Sequence, residues 1–126
     1  MVDIALQIAH WREGALEEWQ VATELLEKGR VRHGLFFAHL ALEKALKAHV
    51  CRHTGDLAPR THNLVRLAEV AAVKPTTAHL QLLSILNEFS EAGRYPDGRI
   101  PLPTPDQARL RMSEANEVLQ WLMQLS

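Results

Sequence analysis

Between residues 36 and 50 two lines of apolar side chains run next to each other at helical spacing. Ala38, Ala41, Ala45 and Ala48 make a line of small residues, and Phe36, Leu42, Leu46 and Val50 make a bulkier line beside it. Residues three and four apart share one face of an α-helix. The two lines together span an arc too wide for a helix with one wet side. Such a helix must be covered from two directions. The alanines admit a neighbouring backbone, and the leucines fill the space on the other flank. A chain built around this segment is expected to be a helical bundle, with a helix from near Val31 to about His53 at its centre.

The rest of the chain agrees with that centre. Ile4, Ile8, Trp11, Ala15, Trp19, Ala22 and Leu25 or Leu26 form one stripe, opened by Asp3 as N-cap and closed by Lys28-Gly29. Thr54 to Pro59 reads as a loop. A short helix carrying Leu64, Leu67, Val70 and Ala71 then starts from Thr61 or Asn63 and ends before Pro75. Thr76 or Thr77 opens a fourth helix with Leu80, Leu83, Leu86 and Phe89 inward. The stretch Ala92 to Pro103, with two glycines and three prolines, reads as non-helical. Thr104-Pro105-Asp106-Gln107 is a capping box with proline at the first helical position, and it opens the last helix. No segment alternates as a strand does. The fold class expected is all-α: an up-and-down four-helix bundle with an additional short helix, one domain over residues 1–126.

Composition narrows the function classes. With 47% hydrophobic residues the 126-residue chain suits a single core. The 14 basic residues are balanced by 15 acidic ones, which argues against broad, sequence-blind nucleic-acid binding. One cysteine, Cys51, excludes an intramolecular disulfide, and no positioned base marks it as a catalytic thiol. The start Met1-Val2-Asp3-Ile4 has neither the basic region nor the apolar run of a signal peptide. No apolar stretch approaches the roughly 20 residues of a membrane span. The expectation is a soluble, cytoplasmic protein with no membrane association.

Three segments in order carry a family resemblance. Phe37-Ala38-His39-Leu40-Ala41-Leu42-Glu43-Lys44-Ala45-Leu46-Lys47-Ala48 is followed by Pro59-Arg60-Thr61-His62-Asn63-Leu64 and then by Arg94-Tyr95-Pro96-Asp97. Together they resemble the HEPN domain family, over most of the chain from Trp11 to the last helix. The resemblance implies a homodimer in a nucleotide or RNA setting. It also implies pairing with a minimal nucleotidyltransferase as a toxin–antitoxin system, or, for some members, metal-independent ribonuclease activity. The nuclease members use an arginine and a histidine with four to six residues between them, late in the fold. Here only Arg32 and His39 meet that spacing, at the start of the second helix, with roughly 10 Å of helix axis between them. Tyr95 stands where a histidine would be needed, and a tyrosine at its ordinary pKa is a poor base near neutrality.

The individual candidates follow from position. Arg60 and His62 lie at the start of the third helix, whose open N–H groups favour an anion. If the Arg94-Tyr95 loop folds back on them, two guanidiniums and an imidazole surround a phosphate-sized space. The local alternative pairs Arg94 with Asp97. Lys44 and Lys47 leave the apolar arc and face either a phosphate or solvent, with Glu43–Lys47 as an ordinary i, i+4 pair. His39 and Glu43 have metal-ligand spacing but read better as a polar bridge inside the bundle. His49 and His53 suit the negative end of their helix as cations. Trp11, Trp19 and Trp121 fall on packing stripes. No metal or cofactor is expected. The leading expectation is a partner subunit of a nucleotidyltransferase with a nucleotide or RNA phosphate contact; a divergent HEPN ribonuclease and a helical interaction module without a nucleotide site are the alternatives.

Overall fold

In the computed structural model, which describes residues 2–94 and 101–125 and the side chains of these except 92–94, the chain forms five helices: α1 (Ile4–Glu27), α2 (Val31–Thr54), α3 (Leu64–Ala71), α4 (Thr77–Arg94) and α5 (Pro105–Gln124). Each boundary has a local cause. The Asp3 carboxylate accepts the Leu6 N–H at the start of α1, and Gly29, at φ +76°, turns the chain after Lys28. Gly55, at φ +67°, does the same after α2. The Thr76 hydroxyl accepts the His79 N–H at the start of α4. At α5 both bonds of the capping box are made between Thr104 and Gln107. The fourth helix corrects the sequence reading at its far end. Ala92, Gly93 and Arg94 belong to α4, because a proline at 96 displaces only the residue before it and a glycine is tolerated in a last turn.

α2 packs against all four other helices, as its two apolar lines require. Ala38, Ala41, Ala45 and Ala48 are buried together with Leu42, Leu46 and Val50, whereas Phe36 is half-buried and Leu35 takes the interior place beside it. α1 lies along the small-residue side. Its approach depends on Gly34: a Cβ there would sit 1.7 Å from Leu26 Cδ2 and 3.3 Å from the Leu26 backbone nitrogen. On the other flank Leu64, Leu67, Leu82, Leu83, Leu86, Val118, Leu119 and Leu122 complete the main core. Leu80 is more than one-third exposed, so the inward stripe of α4 begins at Leu82 and not at Leu80.

Contacts fix the directions. Ala108 at the start of α5 clusters with Val31 and Leu35 at the start of α2, and Leu122 near its end meets His49 near the end of α2, so these two helices run parallel. α1 turns back from Gly29 into α2. α4 brings His79, near its start, to Trp121, near the end of α5, and Phe89 to the Val31 cluster. The result is an up-and-down bundle of α1, α2, α4 and α5, with α3 laid against α2 and α4. None of the described helices is long and apolar enough to cross a membrane.

Candidate functional site

The interior of α2 is not wholly apolar. His39, Glu43 and Lys47, one turn apart, form a polar seam, at 0%, 4% and 6% exposure. Burying such groups is costly unless each finds partners, and the partners come from three elements. Lys47 Nζ donates to Glu43 Oε2 at 3.1 Å and stands 5.2 Å over the Trp11 ring of α1. Glu43 Oε1 accepts from His62 Nδ1 at 2.9 Å, with His39 Nδ1 at 3.8 Å. His39 Nε2 donates to the His62 carbonyl at 2.9 Å, with Asn87 Oδ1 of α4 at 3.3 Å.

The same residues close the start of α3. The Asn63 carboxamide accepts the Val65 and Arg66 N–H groups, and Asn87 Oδ1 accepts the Leu64 N–H at 3.0 Å. Asn87 Nδ2 donates to Asn63 Oδ1 at 3.0 Å. These bonds correct the sequence reading of this helix end as open to an anion: its first three N–H groups are already taken. What faces solvent is His62. Its Nδ1–H is committed to Glu43, so the ring is held in one orientation with Nε2 left over, and the side chain is more than half exposed. Arg60, two residues earlier, is exposed and makes no ion pair among the described residues.

The lysines have structural partners. Lys47 is shut inside with Glu43 rather than facing phosphate or solvent, and Lys44 pairs with Glu18 of α1 at 2.9 Å. Of the third expected cluster, the Arg94 side chain and Tyr95, with its neighbours through residue 100, lie outside the described residues. Arg32 is exposed and His39 fully buried, so the one Arg–His pair of nuclease spacing does not converge. His49 also departs from its sequence reading as a helix-end cation. It is buried, Nε2 donates to the Leu122 carbonyl at 2.6 Å, and desolvation, with the Arg52 and Arg12 charges, holds its pKa below 6.5 against the raising effect of that carbonyl. Cys51 is buried, and desolvation pushes its thiol pKa up, as for an inert cysteine.

Sequence reasoning missed Asn87. Its signal was present: a carboxamide one turn beyond Leu83 and next to Leu86, on the inward stripe of α4, where an unpaired amide would be expensive.

Fold and seam together define a class: a small up-and-down helical bundle whose central helix carries a buried His–Glu–Lys line tied to the start of a short third helix. Within that class the chain belongs to the HEPN domain family, whose profile matches residues 8–125. Among solved structures it is similar to TT1696 from Thermus thermophilus, at 21% identity over 93% of this chain and 96% of that one, with a TM-score of 0.79. It is also similar to ST0689, an archaeal HEPN homologue, at 21% identity over 92% and 94% of the two chains, with a TM-score of 0.71. These likenesses establish the shared fold. Comparison with curated proteins gave no match.

Proposed function

We propose that this chain is a dimeric HEPN subunit that pairs with a minimal nucleotidyltransferase and contacts a nucleotide or RNA phosphate through Arg60 and His62. The observation that carries the phosphate contact is the His62–Glu43 bond of 2.9 Å. A carboxylate on Nδ1 fixes which ring nitrogen faces solvent. With a phosphate at Nε2, an imidazolium would be held between two anions, on a ring that cannot turn away. Arg60 adds a guanidinium with no ion-pair partner among the described residues two residues earlier in the same loop. Membership in the family supports the nucleotide setting.

The test is fluorescence anisotropy of a labelled single-stranded RNA and of a labelled ATP at low salt. Arg60→Ala is expected to weaken binding by about tenfold. For the RNA it should also lower the slope of log K against log salt by about 0.7. If wild type binds neither probe, the phosphate contact is wrong and the interaction module without a nucleotide site takes its place. Co-expression with a minimal nucleotidyltransferase encoded beside it tests the pairing: a complex that survives size exclusion is expected.

One observation favours a second reading, a divergent ribonuclease. A carboxylate-oriented imidazole is also how a general base is held. RNA cleavage without metal that disappears in both His62→Ala and Arg94→Ala would replace the binding role by a catalytic one.

A further inference from the structure

α1, α2 and α3 each close on a left-handed residue, Gly29, Gly55 and Ala72 in turn. α5 does not. Its cap, Leu125, is extended at φ −69° and ψ 136°, and its last turn carries no basic residue. A helix end leaves up to four carbonyls without partners of its own, and here they are met from outside. His49 Nε2 of α2 donates to the Leu122 carbonyl at 2.6 Å, and Arg12 Nη2 of α1 donates to the Met123 carbonyl at 3.4 Å. Arg52 Nη1 of α2 donates to the Leu125 carbonyl at 3.2 Å. The two guanidiniums also face the negative end of the α5 dipole. The last turn of α5 is thus capped by side chains of other helices, and its attachment depends on their state.

Of the three donors only the imidazole titrates near neutrality. Its surroundings suit the neutral ring. His49 is buried, and the charged groups that face it are Arg12 from α1 and Arg52 from its own helix. His53 and Lys74 share with it the lining of a concavity of about 580 Å³, which no described aspartate or glutamate lines. Residues 122–125 of α5 bring no charge, and α4 brings only His79, stacked on Trp121 at 4.9 Å. A proton on His49 would therefore sit among cations, out of water. The Leu122 carbonyl alone favours it, and desolvation outweighs that carbonyl, holding the pKa below 6.5. Hydration of the ring removes both penalties, and the opening that costs least is the last turn itself. Of Leu122–Leu125 only Leu122 is fully buried, whereas Val118 and Leu119, one turn earlier, stay anchored in the main core.

We propose that the last turn of α5 is an acid-sensitive clasp: proton uptake by His49 releases Leu122–Leu125 from α1 and α2 while the rest of the bundle stays folded. The sign follows from the environment of the ring. An open turn binds the proton at the ordinary value of about 6.5, and the closed turn binds it only at lower pH, so the open form gains as pH falls below that value. Release uncovers the Leu122 side chain and the His49 ring beside the concavity, an apolar surface that the closed turn hides. The clasp uses neither Arg60 nor His62, and it stands or falls independently of the function proposed above.

The experiment is native-state hydrogen exchange of the full chain, read in ¹H–¹⁵N spectra between about pH 7.5 and about pH 5 with low concentrations of urea. After correction for the intrinsic rate, the Leu122–Leu125 amides are expected to exchange through an opening that urea barely promotes, because little surface is exposed. Its equilibrium constant should grow by up to about tenfold per pH unit below about pH 6.5. The Leu42 and Leu46 amides at the centre of α2 should be better protected throughout and respond steeply to urea. In His49→Gln, which keeps a donor for the Leu122 carbonyl, the pH dependence at the last turn is expected to vanish. His53→Gln, at an exposed position, should leave it intact. The proposal is overturned if the last turn and the centre of α2 share one opening constant and one urea dependence, since the ring would then be hydrated only by global unfolding. It is also overturned if the last-turn opening does not grow as pH falls, if the pH dependence survives His49→Gln, or if it is lost in His53→Gln.

Discussion

Replacing Glu43 by glutamine tests the seam most directly, because it keeps size and one acceptor while removing the charge. Glu43 and Lys47 are 3.1 Å apart and almost wholly buried. Their attraction is about 5 kcal/mol at an effective dielectric near 20, but desolvation of both ions takes back most of it. The measurable quantity is the cost of leaving one ion alone, about 3–5 kcal/mol for a buried pair. In Glu43→Gln the amide oxygen can still accept from His62, so the amide NH₂ must face the Lys47 ammonium, donor against donor. The Trp11 ring 5.2 Å away softens that loss, which places the expected cost near 3 kcal/mol. Lys47→Met is expected to cost less, about 1–2 kcal/mol, since Glu43 keeps the His62 imidazole as a partner. The double variant removes both charges. It should cost about 2 kcal/mol rather than the sum, a coupling of about 2–3 kcal/mol. Urea unfolding followed by far-ultraviolet circular dichroism reads all four proteins. Two single losses each below about 1 kcal/mol that add within about 0.5 kcal/mol would refute a buried, mutually dependent pair.

Three further perturbations follow from the structure. Gly34→Ala gains up to about 1 kcal/mol in helix propensity but drives a Cβ onto Leu26; a net loss of about 1–2 kcal/mol is expected in the same assay, partly recovered in Gly34→Ala/Leu26→Ala. Ala72 closes α3 at φ +57°, the one non-glycine residue with positive φ among those described, so Ala72→Gly is expected to raise stability by about 0.5–1 kcal/mol, read as a higher urea midpoint. His49 has its pKa lowered from 6.5, by burial first, so the unfolded chain binds its proton before the folded one does. Stability from this group is therefore level above about pH 6.5 and falls as pH drops below it toward the folded-state pKa, by up to about 1.4 kcal/mol per pH unit. His49→Gln, whose amide still reaches the Leu122 carbonyl, should flatten that decline in thermal melts between pH 7 and pH 5, and parallel declines would contradict it.

How far the sequence could be read depended on whether a residue's partner is local. Thr104 and Gln107 cap α5 because both halves of the box lie within four residues, and Gly29 and Gly55 stop their helices through their own φ angles. The breadth of the α2 arc placed that helix at the centre without any knowledge of its neighbours. Lys47 failed on the same helix for the opposite reason. What decides its burial is Trp11, 36 residues away on α1, and no periodicity within α2 records that lid. The start of α3 is similar. Asn63 was legible as a cap, but the first N–H of the helix, that of Leu64, is closed by Asn87 from α4, so a site that looked open from its own segment is filled from another. Arg60 and His62 were legible as candidates because an arginine and a histidine in a loop at a helix start stand out, whereas the carboxylate that orients His62 had been weighed only as a metal ligand or a lysine's partner.

A buried ion pair is poor evidence of selection for stability, since well-packed apolar residues of the same volume often serve as well or better. The presence of Glu43 and Lys47 on the buried side of α2 therefore asks for a reason outside the core. The carboxylate meets three groups, and two of them, His39 and Lys47, are sealed inside. The third, His62, is the only one that reaches solvent. The seam thus works as a mount: Lys47 neutralises Glu43, Glu43 holds the His62 ring by Nδ1, and His39 holds the His62 backbone by its carbonyl. Side chain and main chain of one exposed residue are fixed from the same helix by two residues one turn apart. If stability alone were at stake, fixing both would gain nothing over a solvated loop. The arrangement suits the phosphate contact proposed above, for which Nε2 of His62 is presented in one direction by bonds that reach to the centre of the bundle.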